Sequence, residues 1–257
     1  MTKKMQVKSN MIYFYFLVAC LLFQNPLTCL ADEKLLVVTE VWPPFRIASP
    51  DSKYGFTGID IDILEGLERH LNLKIEIQRH PFARALEMIK TGYADLTTGV
   101  AYTDQRATFI SYVPTPYYAV RPVFYAQKGL GHLTKVYDDL YKFKIGYSLH
   151  SAYFEPFNSD LKLMKEGVST ETQLIKMIAL GRIDLIIGTN PNLAYDIKIY
   201  GLKDKVEQTH YTPSPKTPVY IGLSNKHTKT SLGQKIDDYL KQIIDNGKLK
   251  QIVEKYR

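Results

Sequence analysis

Two rhythms of apolar positions alternate along the chain. Leu35-Leu36-Val37-Val38-Thr39 is a short unbroken apolar run, the pattern of a strand covered on both faces. It runs into Trp42-Pro43-Pro44-Phe45, where two prolines stop any regular element. Over residues 60–71, Ile61, Leu64, Leu67 and Leu71 recur at helical spacing. Residues 74–78 alternate and predict a strand. Phe82, Ala85, Leu86 and Ile89 make the next helical face, which Gly92 ends. Residues 94–100 predict another strand. The second half repeats the rhythm: strand 143–148, helix 151–157, helix 170–180 stopped by Gly181, strand 183–188, helix 190–199 and strand 219–223. Leu232, Ile236, Tyr239, Leu240, Ile243 and Ile244 then line a long amphipathic helix. Strands alternating with helices predict an α/β fold with mostly parallel sheets.

An internal echo sharpens this. Met88-Ile89-Lys90-Thr91-Gly92-Tyr93-Ala94-Asp95-Leu96-Thr97-Thr98-Gly99 aligns with Met177-Ile178-Ala179-Leu180-Gly181-Arg182-Ile183-Asp184-Leu185-Ile186-Ile187-Gly188, and six of twelve positions are identical. Each copy reads as a helix end, a glycine cap and an aspartate opening a strand. Shared capping chemistry alone produces such likeness; two lobes of the same topology produce it too. Pro213, Pro215 and Pro218 crowd one connector, and residues 127–131 form another turn-rich crossing. The expected organisation is a first lobe over 32–127, a second over 128–218, and a return to the first over 219–257.

The first thirty-one residues read as an address. Lys3, Lys4 and Lys8 precede an apolar run over 11–23, a break at Gln24-Asn25-Pro26, and Cys29-Leu30-Ala31. This is the layout of a cleaved secretory signal peptide, and the run is shorter than the roughly twenty residues a membrane span needs. Leu17-Val18-Ala19-Cys20 resembles a lipoprotein cleavage motif, the less favoured alternative. Both cysteines, Cys20 and Cys29, fall in this segment. The expected mature chain therefore carries no disulfide and no thiol nucleophile, which suits a bacterial periplasm.

Composition adds limits. The 257 residues are 45% hydrophobic and 23% charged, a mix that buries a sizeable core. The formal charge of +7 includes the three leader lysines, and no basic run carries interleaved aromatics, so nucleic acid is not an expected partner. The six histidines show no metal-ligand spacing, and no glycine-rich phosphate loop or Gly-x-Ser-x-Gly elbow is present. No metal or cofactor is implied, and a monomer is the default.

Clefts between α/β lobes bind ligands at the carboxyl ends of strands. The residues after the predicted strands are Glu40 and Trp42; Gly99, Ala101 and Thr103-Asp104-Gln105-Arg106; Ser148, His150 and Ser151; and Thr189 and Asn190. Thr103 is a plausible N-cap, and Arg106 beside a helix start suits a carboxylate. The plainer reading pairs Arg106 with Asp104 on the surface. Trp42, the only tryptophan, either stacks on a ligand or caps the core; Phe82 has the same two readings, and Arg84 faces solvent or the cleft.

Gly58-Ile59-Asp60-Ile61-Asp62-Ile63-Leu64, Gly92-Tyr93-Ala94-Asp95-Leu96, Thr103-Asp104-Gln105-Arg106 and Pro116-Tyr117-Tyr118, in this order, carry a resemblance. Across residues 35–256 the chain resembles bacterial extracellular solute-binding proteins of family 3, the polar amino-acid-binding type serving ABC transporters. The resemblance implies a two-lobed Venus flytrap, the type II periplasmic binding fold, with two hinge crossings. It implies that Arg106 clamps the ligand carboxylate, that Trp42 stacks on the ligand, that Phe82 forms a second wall, and that Ser151 closes from the other lobe. Three positions depart from the family pattern. Gly99 and Ala101 stand where small hydroxyl residues usually precede the arginine. Thr189, followed by Asn190, stands where an acid usually takes the ligand's ammonium, leaving Glu40 as a substitute or the ligand as something other than an ordinary amino acid. The implied partners are a small polar solute and the membrane permease of an ABC transporter. The weighed alternatives are an enzyme resembling cyclohexadienyl dehydratases, using Glu40, Glu155 or His150, and a periplasmic partner presenting ligand to a receptor.

Overall fold

The computed structural model describes residues 34–214, 216–226 and 230–256. The expected signal peptide and Pro215 lie outside them. Strand β1 (Lys34–Thr39) sits between β4 (Lys74–Arg79) and β5 (Leu96–Ala101), parallel to both. Its apolar run is explained by burial on two faces. Leu35 and Val37 join one cluster with helix α1 (Ile59–Leu71), while Leu36 and Val38 join another with α2 (Phe82–Thr91). A short pair, β2 (Ile47–Ala48) and β3 (Phe56–Thr57), precedes α1. Helix α6 (Thr230–Asp245) covers α1 through Ile236, Tyr239 and Leu240, and α7 (Lys248–Glu254) adds Ile252 and Val253. Helix α3 (Asp104–Ala107) follows β5, and β6 (Ile110–Tyr112) pairs with β12 (Thr217–Ser224).

The second lobe is built around β7 (Tyr118–Gln127), β10 (Leu185–Asn190), β8 (Lys144–Ser148) and β9 (Met164–Val168), with β11 (Val206–Gln208) added on β7. One face is covered by α4 (Glu171–Ala179) and α5 (Asn192–Ile199) through Leu174, Ile175, Ile178, Leu193 and Ile197. The other packs on Leu140, Tyr153, Phe157 and Leu163. The strand order is β4-β1-β5-β12-β7-β10-β8-β9, so a single sheet runs through both lobes.

Three expectations change. The first crossing lies inside β7. Residues 118–120 pair with β12, and from Arg121 the strand pairs with β10, so the chain reaches the second lobe before residues 127–131. Pro122 sits within this strand, a residue that argues against a paired strand when read locally. The return begins at Thr217, opposite Val120. Residues 151–157 form no helix. Pro156 disfavours helical backbone before it, and the Tyr153 N–H donates instead to Asn158 Oδ1 at 2.9 Å.

The echo has a structural counterpart. Gly92 and Gly181 both adopt left-handed backbone, with φ of 78° and 68°. Asp95 Oδ2 accepts from the Leu36 N–H at 2.9 Å, and Asp184 Oδ2 accepts from the Lys144 N–H at 2.8 Å. Each aspartate ties its strand to the start of the neighbouring one, the same solution in both lobes.

Candidate functional site

Strand ends from both lobes converge on one cleft. It encloses about 630 Å³ of empty space, counting its open mouth. From the first lobe come Glu40 and Trp42 after β1, Phe82 at the start of α2, Gly99 and Ala101 in β5, and Arg106 in α3. From the second come Ser151 after β8 and Thr189 in β10. Eight of the ten expected residues therefore line one space. Arg84 does not: it is solvent-exposed on α2. Asn190 is outside the lining, although its Oδ1 is buried without a hydrogen-bond partner.

Arg106 is 5% exposed. Thr103 caps its short helix, its Oγ1 accepting from the Arg106 N–H at 3.1 Å. The guanidinium donates to the Ala101 carbonyl at 2.7 Å and, across the cleft, to the His150 carbonyl at 2.6 Å. Phe82 lies beneath it, 5.3 Å from ring centre to Cζ. Asp104 instead accepts from the Tyr102 hydroxyl at 3.2 Å. Among the described residues no acid forms an ion pair with Arg106, so a buried cation lines the cleft without a counter-charge. Burial presses its pKa below the usual arginine value. Such a group is costly alone and favours an anion.

Trp42 forms the wall. Its ring stacks on Phe45 at 4.3 Å between centres, and the Arg46 guanidinium lies 5.0 Å from its centre. Arg46 is a lining residue that pattern alone missed. A tight bridge between Trp42 and Arg46 folds the two prolines into a turn and returns Arg46 to the cleft. Arg46 pairs with Asp60 and donates to Thr98 Oγ1 at 3.2 Å, and the Tyr117 hydroxyl donates to the other Asp60 oxygen at 2.8 Å. An arginine in an otherwise apolar turn, followed by an aspartate on a helix's buried face, is the signal that could have found the pair.

Gly99 explains one departure from the family pattern. Its φ is +68°, and a Cβ there would lie 2.7 Å from Arg46 Nη1 and 2.9 Å from Trp42 Cζ3. The position is glycine because Trp42 and Arg46 occupy the space a side chain needs. Gly99→Ala is expected to lower stability by about 2–3 kcal/mol, combining left-handed strain with overpacking. Denaturant unfolding measures the loss, and a shift in Trp42 emission reports the displaced wall.

Glu40 accepts from the Phe82 N–H at 2.9 Å, so one of its oxygens closes the start of α2. Burial raises its pKa. Glu155, the alternative acid, is exposed and accepts from the Ser159 hydroxyl at 2.6 Å.

The second lobe also brings Ser148, one of the residues expected after a strand, and two groups that sequence reasoning missed: Tyr153 and above all Glu171, the first residue of α4. An acid in a helix's first turn reads as a complement to the helix dipole, which hid it. Glu171 Oε2 is shut off from solvent and has no hydrogen-bond partner; Thr189 Oγ1 is in the same state. Burial first, then the nearby Asp196 and Glu40, push the Glu171 pKa up to about 8. Among the described residues no group of three or more His, Cys, Asp or Glu is placed to hold a metal, and no helix is long and apolar enough to cross a membrane.

The family profile of bacterial extracellular solute-binding proteins, family 3, matches residues 35–257. The chain is 24% identical over 204 residues to the probable amino-acid-binding protein YxeM of Bacillus subtilis (strain 168), covering 78% of this chain and 75% of that one. It is 24% identical over 222 residues to a probable histidine-binding protein of Neisseria gonorrhoeae, covering 83% and 78%. The crystal structure of the amino acid ABC transporter substrate-binding protein AbpA from Streptococcus pneumoniae, bound to L-arginine, superposes with a TM-score of 0.77 at 20% identity, covering 88% and 95%. With a cleft between two lobes and a profile match over nearly all described residues, the chain belongs to the bacterial extracellular solute-binding proteins, family 3.

Proposed function

We propose that this protein captures an α-amino acid in the interlobe cleft and delivers it to the membrane permease of an ABC-type transporter. The observation that carries the reading is Arg106, a buried guanidinium in the cleft with no acid beside it among the described residues. Trp42 and Phe82 supply apolar walls for the ligand's body. The names of the relatives support an amino acid as the ligand class. Work is done by binding: the ligand bridges two lobes joined through β7 and β12, and its differential affinity for the closed arrangement shifts the population toward it. The leader-like residues 1–31 support a periplasmic location, which fractionation of cells expressing the full gene tests.

A thermal-shift panel of the twenty amino acids, dicarboxylates and diamines at 1 mM tests the ligand class. A ligand at about a thousand times its dissociation constant adds about 4 kcal/mol of stability. The expected result is a shift by one group of amino acids, followed by quenching or a spectral move of Trp42 on titration. Stabilisation by none of the amino acids removes the assignment.

A further inference from the structure

The interlobe cleft has two unlike poles. Arg106 makes the first pole cationic. At the second, Glu171 Oε2 and Thr189 Oγ1 line the cleft, both buried and both without partners, and Asn192 Oδ1 just beyond them is unpartnered as well. Once ionised, the Glu171 carboxylate offers only acceptors, and the amide oxygen of Asn192 is an acceptor too. Leaving buried acceptors unmade is expensive, and what satisfies them is a donor, best of all a cationic one. We propose that Glu171 anchors the ligand's ammonium group, replacing the acid that Thr189 lacks at the end of β10, and that capture of this cation expels a proton to solvent. The inference rests on the amino-acid reading above and names the residue and charge that complete it.

Burial, reinforced by neighbouring acids, holds the proton on Glu171. Asp196, on α5, accepts from Asn192 Nδ2 at 3.3 Å and carries a pKa pushed up to about 7 by burial. The groups facing Glu171 are Asp196 and Asn192 from α5, Glu40 and Arg46 from the segment after β1, and Tyr153 from the turn after β8. Asp196 and Glu40 favour the neutral acid; Asn192 and Arg46 favour the carboxylate. Burial outweighs them, so below pH 8 the empty site holds Glu171 mainly as the neutral acid. An ammonium prefers the carboxylate. As it binds, the O–H bond of Glu171 breaks, the proton goes to solvent, and the carboxylate accepts from the ammonium. Apparent affinity therefore rises with pH, by about tenfold per unit well below the pKa of the empty site, and levels off above it.

Calorimetric titration with L-arginine, L-histidine and L-glutamine, each beside the 2-hydroxy acid bearing the same side chain, tests this between pH 6 and 8.5. For the amino acid that binds, the expected profile climbs steeply from pH 6 and flattens beyond pH 8. Runs in two buffers of different ionisation enthalpy should count nearly one proton released at pH 7. The matched hydroxy acid should bind at least tenfold more weakly at pH 8 and gain nothing as pH rises. Glu171→Gln should weaken the amino acid at least tenfold at pH 8 and flatten the profile. Asp196→Asn should keep binding and move the midpoint to lower pH. A flat wild-type profile, or equal binding of amino and hydroxy acids, overturns the anchor and leaves the amino-acid reading standing. Absence of binding by every amino acid at every pH removes that reading and the anchor with it.

Discussion

Asp60→Ala is expected to lower the stability of the protein by about 3–5 kcal/mol, the usual cost of removing one member of a buried ion pair. Asp60 is 1% exposed and Arg46 5%. The substitution strands the Arg46 guanidinium beside Trp42, hydrogen-bonded only to carbonyl and hydroxyl oxygens. It also removes the acceptor of the fully buried Tyr117 hydroxyl, which Asp60 holds at 2.8 Å. Burial and the neighbouring Asp60 carboxylate hold the Tyr117 pKa well above the ordinary tyrosine value, so the phenol stays a donor across the accessible pH range. Equilibrium unfolding in urea measures the difference. The double variant Arg46→Met with Asp60→Leu should recover much of the loss, because replacing both charges leaves no orphan. A loss under 1 kcal/mol for Asp60→Ala would mean that Arg46 finds another partner or reaches water.

Arg106→Ala is expected to weaken amino-acid binding by about a hundredfold or more, within the 2–5 kcal/mol range for truncating one member of a buried charged pair. The variant loses the counter-charge for the ligand carboxylate and the bond that reaches the His150 carbonyl from the first lobe. Arg106→Lys should fall between the two, since an ammonium restores the charge but not the planar fork. Stability of the unliganded protein should drop far less than in Asp60→Ala, because Arg106 has no ion-pair partner among the described residues. Titration followed by Trp42 emission gives affinity, and unfolding of the same samples without ligand gives stability. Full retention of affinity in Arg106→Ala would relocate the carboxylate elsewhere in the cleft.

Much of the first lobe was legible in local pattern. The run at Leu35, the helical spacing over α1, the glycine stop at Gly92 and the N-cap at Thr103 each act over a few residues, and the structure realises all four. The echo was legible because both lobes meet the same local problem, ending a helix and pinning a strand, with the same glycine and aspartate. Strand β7 was not legible. Its ten residues include Arg121 and Pro122, and it changes partner midway, so its strand character comes from β12 and β10 and not from its own alternation. The expected helix over 151–157 failed for the related reason that Tyr153 and Phe157 belong to the core of the second lobe, with Tyr153 tied to Asn158 and Ser148.

For the site, the residues that follow strands were readable, since a strand's carboxyl end in an α/β lobe faces the cleft whatever its side chains. Arg106, Trp42, Phe82, Gly99, Ala101, Ser151, Thr189 and Glu40 came from that rule and the family motifs. Arg46 and Glu171 did not. One is returned by a proline turn, the other opens a helix distant in sequence from the remaining cleft residues, and each looks like an ordinary surface charge in the linear chain. What the sequence by itself determined was the alternation of strands and helices over most of the chain and, through the echo and the family motifs, the two-lobed plan, because each of these is written in runs of a few residues. Only the tertiary structure decided which charges are buried together and which oxygens are left unpaired, because desolvation and hydrogen-bond satisfaction depend on neighbours that the fold alone brings within a few ångströms.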